Sequence, residues 1–400
     1  MKIVFLIKKI EEGFTANALK ELSANNDQVF LFTKTQVNPK FLSANVVVFV
    51  FPKNQILPLL SSIKLLPIVL SDMLRKFSFE YCKQIRFNFS SLRQSAYLSK
   101  YLIKTLIKYD KYQSFRYLSF WLDDYADQLS LLKKYSKIKH TYSFAHGRDL
   151  YEWRQLNSGK IPFKKFQLAH LSKVFPISKV GEEYIQKRYP RYSDKIRVHY
   201  LGSYDCGISE LRKNNVFTIV SCATVRDVKR IHLIAKALCL SKRKIKWIHI
   251  GNQNLENTSD SSILLYKEAI EKLKLNSNVE FKATNAMTNE EVYSFYKLTS
   301  INLFVSVSET EGLPVSMMEA ISFGIPLMGT DVGGCKEIIT EKTGVLIPKD
   351  FSKELLLSEL EKFDKSDFNT VLFRDGVRKF WEDNFNIKEN YQKLQRELER

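Results

Sequence analysis

Twice along this chain, short apolar runs of strand character alternate with stretches of helical periodicity. No other feature limits the fold so strongly. In the first half, residues 3–7 read as a buried strand, 14–22 as an amphipathic helix, and 29–32 and 46–51 as further strands. Runs this uniformly apolar belong in a parallel sheet with helices on both faces, which hides both sides of every strand. Residues 139–144 and 174–178 return to strand character, Ser178 caps a helix over 181–189, and 195–200 reads as the last strand of that half. The second alternation places strands at 217–221, 246–250, 279–281, 301–307, 325–328 and 345–347, with helices at 229–240 and 289–297 among those between them. A length of 400 residues suits two such domains rather than one. The expectation is an α/β protein of two doubly wound domains facing a central cleft. The first covers 1–201, a polar linker 202–215, the second 216–383, and a helix at 384–400 packs back on the first domain.

Residues 51–138 interrupt this pattern and are read as a basic, aromatic helical region. The window 51–140 holds 16 of the chain's 62 Lys and Arg but only 6 of its 43 Asp and Glu, and carries 16 aromatics, among them Phe77, Phe79, Phe87, Phe89, Phe115, Tyr117, Phe120 and Trp121. The whole chain has a net charge of +19, which favours anionic partners without choosing among them. One reading of the window is core aromatics under a solvated lysine face; the other is a surface that docks on anionic lipid headgroups or a lipid-linked acceptor. The five cysteines, Cys82, Cys206, Cys222, Cys239 and Cys335, form no Cys-x-x-Cys pair, which speaks against a disulfide framework or zinc site and for a reducing cytoplasm. The N-terminus lacks a signal-peptide cleavage pattern, and the apolar stretch 56–70 is broken by Pro58, Lys64 and Pro67.

The stretch 306–326 carries the chemistry. It reads as a strand, a tight polar loop and a helix, with Pro314 suited to the first helical position and Gly324 to the exit. The N–H groups of Gly312, Leu313 and the first turn then form a site ready for a diphosphate. Glu311, just before the helix, suits sugar hydroxyls rather than phosphate. Glu319 lies about 7.5 Å further along the axis at ~1.5 Å per residue, the spacing between a diphosphate and its ribose diol. The structural alternatives are a capping Glu311 and a solvated Glu319, and the apolar run 317–321 around Glu319 weighs against the second.

Glu311-Gly312-Leu313-Pro314 with Glu319 resembles the two-glutamate motif of the retaining GT-B glycosyltransferases of family 4, and Gly333-Gly334-Cys335-Lys336-Glu337 resembles the glycine loop that follows it. The resemblance implies the GT-B fold, two Rossmann-like domains, with Glu311 at the transferred sugar and Glu319 at the ribose. Residues 225–231 resemble the family's diphosphate-holding loop: Lys229 fits its Lys, while Thr224 stands where its Arg is usual, leaving Arg226 and Arg230 as replacements. Gly251 matches the glycine turn below the nucleotide, and Asn285 lies in the segment resembling the base-contacting loop. His146, in His146-Gly147-Arg148-Asp149-Leu150-Tyr151, resembles the active-site His of the N-terminal domain; taken alone, a strand-end His is more often structural. Gly13 stands alone where many members carry a glycine-rich acceptor loop.

The resemblance implies a retaining hexosyltransferase that moves a sugar from a UDP- or GDP-linked donor to a glycan or lipid-linked acceptor, as in lipopolysaccharide or capsule synthesis. The cysteine usage suits work in the cytoplasm, and the basic aromatic window suits a place peripheral to the inner face of the plasma membrane. No Asp-x-Asp run is placed to bridge a cation and a diphosphate, Asp123-Asp124 is poorly suited, and neither metal nor cofactor is expected. A nucleotide-sugar epimerase of the same architecture would need further cleft carboxylates. A dehydrogenase lacks its Gly-x-Gly-x-x-Gly after the first strand of either half, and a nucleic-acid-binding protein rests on charge alone.

Overall fold

Strands and helices alternate through the first unit as β1 (Lys2–Leu6), α1 (Phe14–Ala24), β2 (Gln28–Thr33), β3 (Val46–Val50), α2 (Leu66–Arg75), α3 (Phe79–Leu106), β4 (Arg116–Ser119), α4 (Asp124–Lys134), β5 (His140–Ala145), α5 (Gly147–Leu150), α6 (Lys164–His170), β6 (Lys173–Pro176) and α7 (Lys179–Arg188). The computed structural model describes residues 1–53, 55–75, 79–153, 161–211, 216–251 and 261–400, with backbone alone at 75 and 79–84. Phe77, residues 212–215 of the expected linker, and the side chains of Phe79 and Cys82 therefore lie outside the described residues. Two units emerge, Met1–Tyr200 with Tyr391–Arg400, and Leu201–Asn390.

The first unit's sheet runs β3-β2-β1-β4-β5-β6, every pair parallel, with Val4 beside both Phe30 and Tyr117. Strand order reverses between β1 and β4, so the loops leaving those two strands diverge and open a crevice. The core joins Val4, Leu6, Phe30, Phe32, Tyr117 and Leu129. Ser178 does cap α7, its Oγ accepting from the Gly181 N–H at 3.0 Å.

Two expectations need correction here. Residues 51–138 are not wholly helical, because β4 lies at the sheet centre with Tyr117 and Leu118 fully buried on opposite faces. A four-residue strand amid lysines and aromatics leaves too short an apolar run to read as one. Residues 195–200 form no strand; a 3₁₀ turn, Pro190–Lys195, ends in a single bridge between Ile196 and Val174. Pro190 starts that turn, and little length remains to pair.

The second unit continues with β7 (Phe217–Cys222), α8 (Ile231–Leu238), β8 (Ile245–Ile250), α9 (Ser261–Leu273), β9 (Val279–Thr284), α10 (Asn289–Leu298), β10 (Leu303–Ser306), α11 (Val315–Ser322), β11 (Leu327–Thr330), α12 (Cys335–Ile338), β12 (Gly344–Ile347), α13 (Lys353–Asp364) and α14 (Val371–Phe385). All six strands sit where the sequence puts them, in the parallel order β12-β11-β10-β7-β8-β9, with the reversal between β10 and β7. Pro314 is the residue before the helix, not its first, because its ψ of 116° is extended. Arg230 adopts φ 48°, so α8 starts at Ile231, after a 3₁₀ turn at Asp227–Lys229.

The last helix, α15 (Ile387–Glu399), begins in the second unit, and its residues from Tyr391 belong to the first. There Tyr142 donates to the Leu398 carbonyl at 3.4 Å, the Arg116 guanidinium donates to the same carbonyl, and Lys173 pairs with Glu397. Among the described residues, no helix is long and apolar enough to cross a membrane.

Candidate active site

Three loops meet at the carboxyl ends of the adjacent strands β7, β10 and β11. The Glu309 N–H donates to the Val228 carbonyl at 2.8 Å, tying the β10–α11 loop to the β7–α8 loop. Lys229 Nζ then donates to Glu311 Oε1 at 2.5 Å, with Glu311 largely buried and Lys229 half-buried. A cation and a carboxylate, named independently from the sequence, thus touch. The third loop fits because its glycines lack side chains: Gly333 sits at φ +53°, and a Cβ there would lie 2.0 Å from the Glu311 carbonyl. Next to it the Gly334 N–H donates to the Gly312 carbonyl at 2.8 Å, which fixes the backbone around Gly312, Leu313 and Pro314 before helix α11.

Arg230 does not belong with the phosphate-binding candidates. Its guanidinium donates to the carbonyls of Val307 at 2.8 Å, Ser308 at 3.3 Å and Lys349 at 3.0 Å, so it braces the Glu311 loop from behind. Arg226 is exposed on the same loop. Gly251 directly follows β8, and Asn285 is exposed just beyond β9, with two strands between it and β10.

Glu319 is buried on α11, not solvated. Asn289 Nδ2 donates to its Oε1 at 2.9 Å and the Tyr293 hydroxyl to the same oxygen at 3.1 Å. Burial pushes the carboxyl up to about 7, against the lowering effect of Tyr293. Asn289 and Tyr293 escape sequence reading. Their spacing of four puts them on one face of α10, but nothing in the sequence says which face meets α11.

The first unit carries a cavity of about 390 Å³ at its own strand-order reversal. Its walls come from the loops after β1 and β4, with Lys8, Phe14, Trp121, Asp123, Asp124 and Asp127 prominent. Lys8 Nζ reaches Asp123 at 2.7 Å and Asp124 at 3.3 Å, while Lys34 holds Asp124 at 2.8 Å. Burial and then the Asp124 charge push Asp123 up to about 7; burial works the same way on Asp124, but Lys8 and Lys34 hold it below its ordinary range. Reading 51–138 as helical hid this site, since it depends on β4.

His146 lies behind that cavity. Its ring is buried 4.2 Å from the Trp121 ring and 4.9 Å from Phe120, and Nε2 donates to the Phe120 carbonyl at 2.9 Å. Burial holds the imidazole down to about 4, hence neutral at physiological pH. Asp149 accepts from the N–H groups of Leu122 at 2.7 Å and His146 at 2.6 Å, joining the two loops. This arrangement packs a neutral His146 ring against the Trp121 ring.

Residues 208–388 match the family of glycosyl transferases group 1. Two Escherichia coli proteins, O-antigen biosynthesis glycosyltransferase WbnH and the probable O-antigen biosynthesis glycosyltransferase WbiN, are each 47% identical over 57 residues, 14% of this chain and 17% of theirs. The chain's match thus spans under a fifth of the length of those curated relatives. Among solved structures, Anabaena Alr3699/HepE in complex with UDP superposes with a TM-score of 0.70 at 17% identity, covering 100% of both chains. The apo form of the lipopolysaccharide outer core galactosyltransferase WaaB gives 0.69 at 14% identity, again over 100% of each. At such identities the likeness establishes the fold, two Rossmann-like parallel sheets of the GT-B type. Residues 208–388, a little under half of the chain, are thus similar to the group 1 glycosyl transferases.

Proposed function

We propose that this protein transfers a sugar from a nucleotide-activated donor to a glycan or lipid-linked acceptor in cell-surface polysaccharide synthesis. The observation that carries the reading is the Lys229–Glu311 contact at the strand-order reversal of the second unit, with Glu319 buried on the helix that follows. In this reading the N–H groups before α11 and the Lys229 ammonium neutralise the leaving diphosphate, a stabilisation strongest where charge develops. Glu311, held by Lys229, accepts hydrogen bonds from the donor sugar. Glu319 accepts from the ribose diol. Gly251 leaves room below the nucleotide, and Asn285 stands at the base. Arg226 supplies the second cation.

The acceptor belongs in the 390 Å³ cavity of the first unit, where Trp121 and Phe14 offer apolar faces to a sugar ring and the aspartates accept from its hydroxyls. The transfer is read as retaining. Glu311 is paired with a lysine rather than poised as a free nucleophile, which favours a front-face course in which the departing phosphate oxygen takes the acceptor proton. No residue set is assigned to a metal. The Anabaena relative binds UDP, and related structures of it hold UDP-glucose, which supports trying a UDP-linked donor first.

The test is a thermal-shift screen of UDP- and GDP-sugars, followed by NMR of the product's anomeric centre. The proposal expects a nucleotide-sugar to raise the melting temperature, an effect absent in Lys229→Ala with Glu319→Ala, and a product that keeps the donor's anomeric configuration. An inverted product ends the retaining reading. No stabilisation by any nucleotide-sugar ends the donor reading.

A further inference from the structure

Two side chains reach Glu319 from the neighbouring helix α10, and both land on the same oxygen. The Asn289 amide and the Tyr293 hydroxyl donate to Oε1, at 2.9 Å and 3.1 Å. A carboxylate oxygen offers two lone pairs, so Oε1 is filled. Among the described residues Oε2 accepts no hydrogen bond, although Glu319 is only 7% exposed. A largely buried carboxylate with one oxygen saturated and the other unpaired carries a desolvation cost that a donor arriving with a ligand recovers.

The two donors are held firmly. Asn289 opens α10, where the Glu291 N–H donates to Thr288 Oγ1 at 3.2 Å and the Thr288 N–H to Glu291 Oε2 at 2.7 Å, fixing the first turn. Tyr293 follows one turn later on the same face, its ring 5.9 Å from that of Phe323, the residue that ends α11. The ionisable groups that feel the Glu319 charge are Tyr293 and Tyr296 of α10 and Cys222 at the end of β7. Burial first, and then neighbouring acidic groups with Glu319 among them, push all three up, Cys222 to about 12, so all are neutral at pH 7. No cation is among them. Ionised Glu319 therefore relies on neutral donors, and the Tyr293 hydroxyl favours that ionised form.

We propose that Asn289 and Tyr293 are positioning residues that hold Glu319 by Oε1 so that Oε2 alone receives the ribose hydroxyls of a nucleoside diphosphate, making α10 the element that selects a ribose diol. The inference rests on the donor reading proposed above. A tie that served only to join α10 to α11 would be stronger with one donor on each oxygen; two donors on one oxygen keep the other for a partner outside the fold. Selectivity follows from the same arrangement. A sugar without those hydroxyls leaves Oε2 buried and unpaired, and a site built around hydrogen bonds to a hydroxyl rejects the analogue that lacks it far more strongly than an apolar pocket rejects a missing methylene.

The experiment is titration calorimetry of the full chain with UDP and with GDP, each beside its dideoxyribose analogue, from about pH 6 to 9. The wild type is expected to prefer the ribose form by about tenfold or more once Glu319 is ionised, with the preference developing around pH 7. Tyr293→Phe should move that midpoint up by about one pH unit, and it should regain most of the preference at the alkaline end. Asn289→Ala should shrink the preference at every pH. Both variants should bind the dideoxy analogue as the wild type does, which shows that they fold and still hold the diphosphate. Full preference at an unmoved midpoint in both variants overturns the proposal, as does an equal loss of affinity for ribose and dideoxyribose forms, the mark of a purely structural tie. A wild type that binds a diphosphate without distinguishing the two sugars also overturns it and leaves the diphosphate reading standing. Binding of neither diphosphate to the wild type ends the donor reading itself, and this inference with it.

Discussion

Lys229 and Glu311 meet because the backbones of their loops are joined first, by the Glu309–Val228 hydrogen bond, and the side chains only complete the contact. Lys229→Ala is accordingly expected to lower affinity for a nucleoside diphosphate by about 10- to 100-fold, the worth of a charge-assisted hydrogen bond, and to leave nucleoside affinity nearly unchanged. Isothermal titration with both ligands checks this; equal losses would remove Lys229 from the phosphates. Glu319 adds a pH dependence. Its carboxyl titrates near 7 in the folded protein against an ordinary 4.5, so the folded state holds an extra proton between those values. Stability from this group is therefore greatest below about pH 4.5 and falls as pH rises toward about 7. The ionised form is the better acceptor for a diol, so donor affinity should rise as pH passes through about 7, where the folded-state carboxyl ionises. Glu319→Gln should flatten both trends, measured by denaturant melts and titration calorimetry across pH. Glu311 and Glu319 stood out in the sequence by their spacing around one turn, and Lys229 by the resemblance of its loop; the structure brings Lys229 and Glu311 into contact. Arg230 was misread, since its five donors suit three carbonyls as well as they suit phosphates, and only packing decides.

At the scale of elements, the six strands of the second unit were readable because most are largely apolar runs between helical periods, and β9 alternates apolar with polar residues. In the first unit the short strand β4 was hidden by its basic, aromatic neighbours, and with it the cavity built on its loop. That loop yields a prediction: Trp121→Ala should raise the acceptor KM about tenfold or more while leaving donor affinity intact, and His146→Ala should do the same more weakly, because it acts through Trp121. Steady-state kinetics with each substrate varied in turn would show the split, and a donor KM that moved instead would contradict it. The glycine loop yields another. Gly333→Ala puts a Cβ within 2.0 Å of the Glu311 carbonyl at a left-handed φ of +53°. It should cost at least about 2 kcal/mol of stability and abolish nucleotide stabilisation, since the loop must shift away from Glu311.

The two-domain organisation of the whole molecule followed from the double alternation of strands and helices. The route of the chain's last turns, Tyr391–Arg400 counted with the first unit, rests on long-range contacts such as Arg116 and Tyr142 with Leu398. Arg116 and Tyr142 sit on neighbouring strands β4 and β5, and both hold a carbonyl near the end of α15. A chain ending at 390 should therefore lose stability in the first unit while the second still binds nucleotide, as differential hydrogen exchange of the two sheets would reveal. During synthesis this has a cost in time. The first unit is translated early but lacks its closing helical turns until all of residues 201–390 have been made, roughly 10–40 s later at ~5–20 residues per second. For that interval the side of β4 and β5 that α15 will cover stays open on the nascent chain, a binding opportunity for a chaperone that the finished protein no longer presents.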